Sequence, residues 1–272
     1  MRKKHIYKNI IITFLYQVIY ILCGLIIPQA IINKFGSETN GLIISVTQFI
    51  TYITIMESGF GLAVKSMLYK PLAENNKKKI SSVLYTTDSF FKKLSIILFV
   101  YVAILCLVYP FIIKSNFSYF YTVSLILIIA ISIFAEYFMG MSYKLYLQAA
   151  QKTYIISLIQ LITYVVNTII VLILLNFNSS IHFIKFVGAL LFLIRPFVQK
   201  YIVEKKYGIK INKTCKKIEI VNKKESLSQH IAGIIHNNID VFLLSVVSNL
   251  TTISIYSVYS LVISTKKLII LS

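Results

Sequence analysis

Several ionisable and amide side chains lie inside long apolar stretches of this sequence, where a charged group is costly unless it faces protein or water. Within each stretch they lie on or beside a helix face of polar and small residues that recur at spacings of three and four. Seven of them are candidates for function: Glu57, Lys65, Lys185, Arg195, His236, Asn237 and Asp240. The cations could bind an anionic group, and the planar guanidinium of Arg195 suits a phosphate because it can donate two parallel hydrogen bonds.

The polar face around Glu57 and Lys65 has two interpretations. Small and hydroxyl residues share this face, and they are Thr47, Thr51, Thr54, Ser58 and Gly61. Such residues also mark contacts between membrane helices, which is the favoured interpretation for the threonines and Gly61. Packing alone does not need a carboxylate, so we interpret Glu57 as part of a hydrated cavity wall.

The other candidates also have structural alternatives. Lys185 and Arg195 lie near opposite ends of one apolar stretch, so each could extend to its own membrane surface instead of facing a cavity. Asp240 could form a buried pair with His236 or a lysine between helices. Glu136, near the end of the fourth stretch, is interpreted as an interfacial residue.

Enzyme and metal chemistry find little support in the sequence. The three cysteines, Cys23, Cys106 and Cys215, have no partners at metal-ligand spacing, so neither a zinc site nor a disulfide framework is predicted. No phosphate-binding loop, dinucleotide fingerprint or nucleophile elbow occurs. We therefore expect no cofactor, no metal and no enzymatic activity.

The elements that must position these residues are membrane-spanning helices. Of the 272 residues, 57% are hydrophobic and 14% are charged, well below the charge content of soluble domains. A spanning helix needs about 20 mostly apolar residues. Eight stretches meet this requirement: 10–32, 42–64, 94–113, 119–140, 154–176, 181–203, 230–250 and 253–272. The predicted fold class is an all-α integral membrane protein.

The basic residues predict the orientation of these helices. With the N-terminus inside, the inner segments hold 23 basic residues and the outer segments hold Lys34, Lys114 and Lys185. Inner loops of membrane proteins carry such an excess, so we expect a multi-pass membrane protein with a cytoplasmic N-terminus. The net charge of +19 is then explained by topology and by contacts with anionic membrane lipids, not by nucleic-acid binding.

A basic segment divides the chain into unequal parts. Residues 1–203 would form an N-terminal bundle of six helices, and residues 204–228 a cytoplasmic linker without a core of its own. Residues 229–272 would hold the first two helices of a second bundle. A shorter semi-polar stretch, residues 80–92, could form an interfacial helix before the third span.

Three blocks of the sequence resemble a family of membrane transporters. They read MESGFGLAVKSMLYKPLAENNKKKI (56–80), YLQAAQKTYIISLIQ (146–160) and HNNIDVFLLSVVSNLTTISIYSVYSLV (236–262). The blocks are similar to Wzx-type flippases for lipid-linked oligosaccharides, within the multidrug/oligosaccharidyl-lipid/polysaccharide exporter superfamily. The resemblance implies two six-helix bundles around a central cavity that opens alternately to each side.

The same resemblance implies a cargo, partners and site residues. The cargo would be an undecaprenyl-pyrophosphate-linked oligosaccharide, with a polysaccharide polymerase and glycosyltransferases as further partners. Lys65 and Arg195 would meet the pyrophosphate, and Glu57 and Asp240 match acidic positions that couple ions or hold helices in register. Family members have about twelve to fourteen spans, so this chain is expected to be truncated. The alternatives are a drug or cation exporter of the same superfamily and a non-transporting membrane protein.

Overall fold

The computed structural model describes residues 2–52, 54–113, 117–212, 218, 240–241, 243–245 and 247–271. Its regular elements are all helical: α1 (Arg2–Thr51), α2 (Thr54–Ala73), α3 (Lys77–Ile112), α4 (Tyr119–Ala135), α5 (Met141–Ala149), α6 (Thr153–Asn176), α7 (Ile181–Tyr201) and α8 (Leu250–Leu271). Two π-helical turns, Glu136–Gly140 and Ile202–Lys206, follow α4 and α7. This confirms the predicted all-α membrane fold of about eight helices.

The first two predicted spans form one bent element. α1 has a sharp change of direction at Gly36, whose φ of 85° is in a region that favours glycine. The first arm, residues 2–35, contains the predicted span 10–32. This first arm packs along α6, with Thr13 hydrogen-bonded to Ser157 and Tyr20 in edge-on ring contact with Tyr164. The second arm, residues 37–51, begins the next crossing and packs beside α8. One glycine thus supplies the hairpin between two spans.

The prediction of one continuous helix over residues 42–64 is wrong. The second arm of α1 ends at Thr51, Tyr52 forms a turn, and α2 begins at Thr54. At this break the carbonyl oxygen of Phe49 accepts hydrogen bonds from the Tyr52 amide at 3.3 Å and from the Tyr101 hydroxyl of α3 at 2.8 Å. Broken backbone inside a membrane protein needs such partners because lipid cannot supply hydrogen bonds.

The prediction of a separate interfacial helix at 80–92 is also wrong. α3 runs for 36 residues without interruption, a length of about 54 Å at 1.5 Å per residue. Its large exposed apolar side chains begin at Ile96 and continue to Ile112, which marks the part that faces lipid. Residues 77–93 therefore extend beyond the lipid-facing part, and their buried face, including Leu84 and Phe91, packs on the other helices.

Three tight turns between helices share one backbone solution. Asn75, Gln151 and Asn178 each adopt a left-handed conformation directly after a helix. The backbone amide of the next residue donates a hydrogen bond to the carbonyl five residues earlier: Asn76 to Pro71, Lys152 to Leu147 and Ser179 to Leu174. This is the Schellman arrangement, which satisfies carbonyl groups at the helix end. Side-chain oxygens of Asn76, Ser118 and Ser180 then cap the helices that follow.

The turns and chain segments divide between the two ends of the bundle. We call one the basic end; it holds the start of α1, the turns at 74–76 and 150–152, and residues 202–212. The other, the hairpin end, holds Gly36, residues 113 and 117–118, and the segment at 177–180. Part of the predicted linker is ordered along α3, because Ser81 binds both the Lys210 carbonyl and the Asn212 amide.

At the hairpin end, the last described residues pack against α1. Ser45 and Ser245 share a hydrogen bond of 2.8 Å, and the Asn40 amide donates to Ser254 at 2.8 Å. Gly41 allows the close approach, since a Cβ there would overlap the carbonyl oxygen of Leu250. The two predicted helices of a second bundle are therefore represented by residues 240–247 in part and by α8, and α8 is held by polar contacts.

Candidate functional site

One lysine and two glutamates meet inside the bundle. The ammonium group of Lys144 in α5 lies 3.3 Å from Glu136 in the first π-helical turn and 3.8 Å from Glu57 in α2. The three side chains are between 22% and 23% exposed, so they are largely removed from solvent. The hydroxyl group of Tyr137 donates a 2.8 Å hydrogen bond to the second carboxylate oxygen of Glu57. We call these four residues the ion cluster.

Irregular backbone brings the ion cluster together. Glu57 is in the first turn of α2, directly after the break at Tyr52, where unpaired amide groups favour a negative charge. Glu136 and Tyr137 begin the π-helical turn, and such turns often accompany functional sites. Gly61 lets α2 approach α5, since a Cβ there would lie 3.3 Å from the Leu145 side chain. The packing interpretation of Gly61 is consistent with this contact.

A second polar centre surrounds Arg195 on α7. Its Nε donates a 2.7 Å hydrogen bond to the Thr163 hydroxyl of α6. Its guanidinium carbon lies 4.1 Å from the ring centroid of Phe192 and 4.7 Å from that of Tyr164. Its Nη2 is buried and has no hydrogen-bond acceptor among the described residues. The guanidinium is therefore held in position with donor capacity left over.

Tyrosines from α1 extend this arginine centre. The rings of Tyr16 and Tyr20 lie 6.1 Å and 5.1 Å from that of Tyr164, centroid to centroid. Tyr20 is 40% exposed, so the aromatic surface is open on one side. Tyrosine rings combine an apolar face with a hydroxyl group that can exchange hydrogen bonds. Arg195 opposes the positive charge of Lys144, an effect smaller than the attraction of Glu136 and Glu57 for that lysine.

The remaining predicted residues do not join these two centres. Lys65 is half-buried on α2 and makes no hydrogen bond or ion pair within the described part of the chain. Lys185 is half-buried in the first turns of α7, likewise without an ion pair to any described residue. Asp240 is exposed and accepts a hydrogen bond from Tyr256 of α8. His236 and Asn237 lie outside the described residues.

Sequence reasoning underrated Glu136 and did not select Lys144 or Tyr137. Glu136 is not a lone interfacial residue, because Lys144 pairs with it. The available signal was spacing: Glu136 and Lys144 are eight residues apart, which puts both on one face of a helix, facing the carboxylate of the second span. Lys144 was instead counted only as a basic residue of an inner loop.

A further polar groove lies nearer the basic end. Tyr143 donates a 2.7 Å hydrogen bond to Glu204, and Lys92 pairs with Asp88 at 2.6 Å. These side chains surround a cavity of about 210 Å³. Acidic and basic groups balance one another there, so the groove has no evident preference for an ionic ligand.

The described residues contain no group of three or more histidine, cysteine, aspartate or glutamate side chains that could hold a metal ion. In comparisons with known proteins, no family model, no curated protein and no solved structure matches the chain.

Proposed function

We propose that this protein is a flippase that moves a polyprenyl-pyrophosphate-linked oligosaccharide between the leaflets of a bacterial plasma membrane. The observation that carries the proposal is the Arg195 centre. A half-buried guanidinium whose Nη2 has no acceptor, and which has no carboxylate partner within the described chain, suits an anionic cargo. The neighbouring tyrosine rings offer apolar faces and hydroxyl groups to a sugar.

The ion cluster supports movement of helices around such a cargo. Two carboxylates share one lysine, and they come from α2 and from the π-helical turn after α4. An arriving pyrophosphate near Arg195 would compete for Lys144, which Arg195 already repels. Releasing Lys144 would weaken the tie between α2 and α5. Broken helices with charged groups near the break are common where transporters bind their substrates.

The hairpin end supplies the second half of the alternating-access mechanism. In the structure, the second arm of α1 contacts Ser254 of α8 through Asn40 and contacts Ser245 through Ser45. We propose that this end faces the outside and is closed here, and that these contacts separate when the path opens outward. The basic end would then be cytoplasmic, as its lysines predict.

A drug or cation exporter is less well supported. Such a transporter needs a carboxylate that is free to receive a cation or a proton. Glu57 and Glu136 both engage Lys144, and Asp240 accepts a hydrogen bond from Tyr256. The arginine with an open donor has no role in binding a cation, so we favour the anionic cargo.

The proposal can be tested with the full chain in proteoliposomes. A fluorescent polyprenyl-pyrophosphate oligosaccharide is incorporated, and its movement is followed by its accessibility to a reducing agent that does not cross the membrane. We expect flipping by the wild-type chain and at least a tenfold loss in Arg195→Ala, about the contribution of one charge-assisted hydrogen bond pair. Arg195→Lys should recover only part of it, because lysine lacks the planar fork.

Lys93→Ala is the matched control, because Lys93 is an exposed cation on α3. It should flip at the wild-type rate. Equal rates for Arg195→Ala and wild type would overturn the role of Arg195, and no flipping by the wild-type chain would overturn the proposed function itself.

A further inference from the structure

A cavity of about 780 Å³ lies at the basic end, separate from the Arg195 centre. Three segments form it: the turn between α2 and α3, the turn between α5 and α6, and residues 207–209 after the second π-helical turn. Lys77 and Lys152 provide its cations, and its described lining residues include no aspartate or glutamate. The cavity is therefore a basic one without internal neutralisation.

The two lysines are held on either side of one short segment. The ammonium group of Lys152 lies 3.3 Å from the ring centroid of Tyr207. The Nζ atom of Lys77 lies beside the next residue, Gly208, and is 3.4 Å from the position that a Cβ on Gly208 would occupy. Gly208 has a φ of 64°, a conformation that glycine adopts without strain, and it turns the chain across the cavity.

The start of two helices adds to the positive potential of this cavity. Lys77 is the first residue of α3, and Lys152 precedes the first residue of α6. Neither helix has an acidic residue in its first turn. Helix N-termini carry partial positive charge, so lysines at these positions are unfavourable unless an anion lies nearby.

The electrostatic surroundings of Lys152 favour the binding of an anion in the cavity. Burial lowers the pKa of Lys152, and the nearby charge of Lys206 lowers it further. None of Lys77, Lys152 and Lys206 has an ion-pair partner among the described residues. An anion in the cavity would relieve the repulsion between these cations.

We infer that this cavity binds a phosphate group, which ties the two turns and residues 207–209 together at the basic end. The volume exceeds that of inorganic phosphate, so a pyrophosphate or the head group of a lipid with a terminal phosphate also fits. The exposed Tyr69 at the rim leaves the cavity open for such a group to enter. The site does not depend on the proposed transport activity.

The absence of tryptophan from the sequence allows a direct binding test. Tyr69→Trp places a single indole at the rim of the cavity, where its fluorescence reports an arriving anion. In detergent, inorganic pyrophosphate should change this fluorescence with saturation, whereas chloride at matched ionic strength should not. In nanodiscs without pyrophosphate, phosphatidic acid should change it and phosphatidylcholine should not.

The two arms distinguish the source of the phosphate. A response to pyrophosphate alone assigns the site to soluble phosphate compounds, a response to phosphatidic acid alone assigns it to lipid head groups, and responses in both arms assign it to the phosphate group that the two share. Lys152→Gln and Lys77→Gln should each weaken binding about tenfold, because each removes one charge-assisted contact. Lys152→Arg should keep most of the affinity.

Lys79→Gln is the control from the same helix turn, because Lys79 is exposed and does not line the cavity. Its affinity should match that of the chain with Tyr69→Trp alone. If neither Lys77→Gln nor Lys152→Gln weakens binding relative to the chain with Tyr69→Trp alone, the inference is overturned, and it is also overturned by a saturable response to chloride as large as that to pyrophosphate. The absence of any response in both arms would overturn it as well.

Discussion

Removing the lysine of the ion cluster should leave two largely buried carboxylates without their cation. At an effective dielectric constant of about 20, Lys144 attracts Glu136 by about 5 kcal/mol and Glu57 by about 4 kcal/mol at the observed distances. Desolvation cancels most of this gain in the intact cluster. Lys144→Met removes the attraction but keeps the desolvation, so we expect a loss of about 3–5 kcal/mol.

The loss has an upper limit that depends on pH. The two carboxylates that remain in Lys144→Met can reduce their repulsion by taking up a proton, and this becomes easier as the pH falls. The destabilisation of Lys144→Met should therefore be smaller at pH 5 than at pH 7. Because Lys144 already pairs with both glutamates in the wild-type chain, the stability of the wild-type chain should not rise in the same way between pH 7 and pH 5.

The assay is the thermal midpoint of the full chain in detergent, read as the fraction that remains monodisperse after heating. At about 2–4 °C per kcal/mol for a chain of this size class, Lys144→Met should lower the midpoint by about 10 °C at pH 7. The neutral variant Glu57→Gln/Glu136→Gln/Lys144→Met should recover most of this, because it leaves no buried charge.

Lys79→Met is the control for removing a surface ion pair. Lys79 is 60% exposed and lies 4.0 Å from Glu74. The thermal midpoint of Lys79→Met should differ from that of the wild-type chain by at most about 2 °C, because exposed ion pairs contribute little to stability. A midpoint for Lys144→Met within that range at pH 7 would refute the reasoning, and so would an equal loss at pH 5 and pH 7.

Three further predictions concern the helix break, the closed hairpin end and the cavity at the basic end. Tyr101→Phe removes a hydrogen bond to the Phe49 carbonyl and should cost about 1 kcal/mol, seen as a lower thermal midpoint, whereas the exposed Tyr7→Phe should leave it unchanged. Gly41→Ala should push Leu250 away from α1. The reporter is a cysteine that replaces the buried Ile253 in a chain without Cys23, Cys106 and Cys215. With Gly41→Ala this cysteine should react faster with a maleimide, and an unchanged rate would contradict the contact. Burial, helped by Tyr154, raises the pKa of Tyr207 from 10.0 to about 12, so the folded state favours the neutral phenol. The stability that this provides should be complete below pH 10 and lost between pH 10 and pH 12. Tyr207→Phe should lack this loss of stability in its pH profile.

Particular residues show how far sequence reasoning reaches into the site. Arg195 and Glu57 were identified because a charge inside an apolar stretch stands out by itself. Lys144 did not stand out, because a lysine near a span end is ordinary in an inner loop. Its importance depends on the carboxylates of Glu57, 87 residues earlier in the sequence, and Glu136, eight residues earlier.

The helix ends show a similar division. The span 154–176 was predicted almost to the residue, because Lys152 and Asn178 bound an uninterrupted apolar stretch. The break at Tyr52 was missed because residues 42–64 are apolar on both sides of it, and hydropathy does not detect a turn. The break persists since Tyr101 of α3 satisfies the freed carbonyl of Phe49, a contact 52 residues away in sequence.

The sequence by itself determined that the chain is an α-helical membrane protein and where its basic segments lie, because the cost of polar groups in lipid acts on each stretch separately. Only the tertiary structure decided which charges meet. The grouping of Glu57, Glu136 and Lys144, and the cavity between Lys77 and Lys152, depend on a helix break, a π-helical turn and left-handed turns. These features are stable only through contacts between distant helices, so no single stretch of sequence contains the information to predict them.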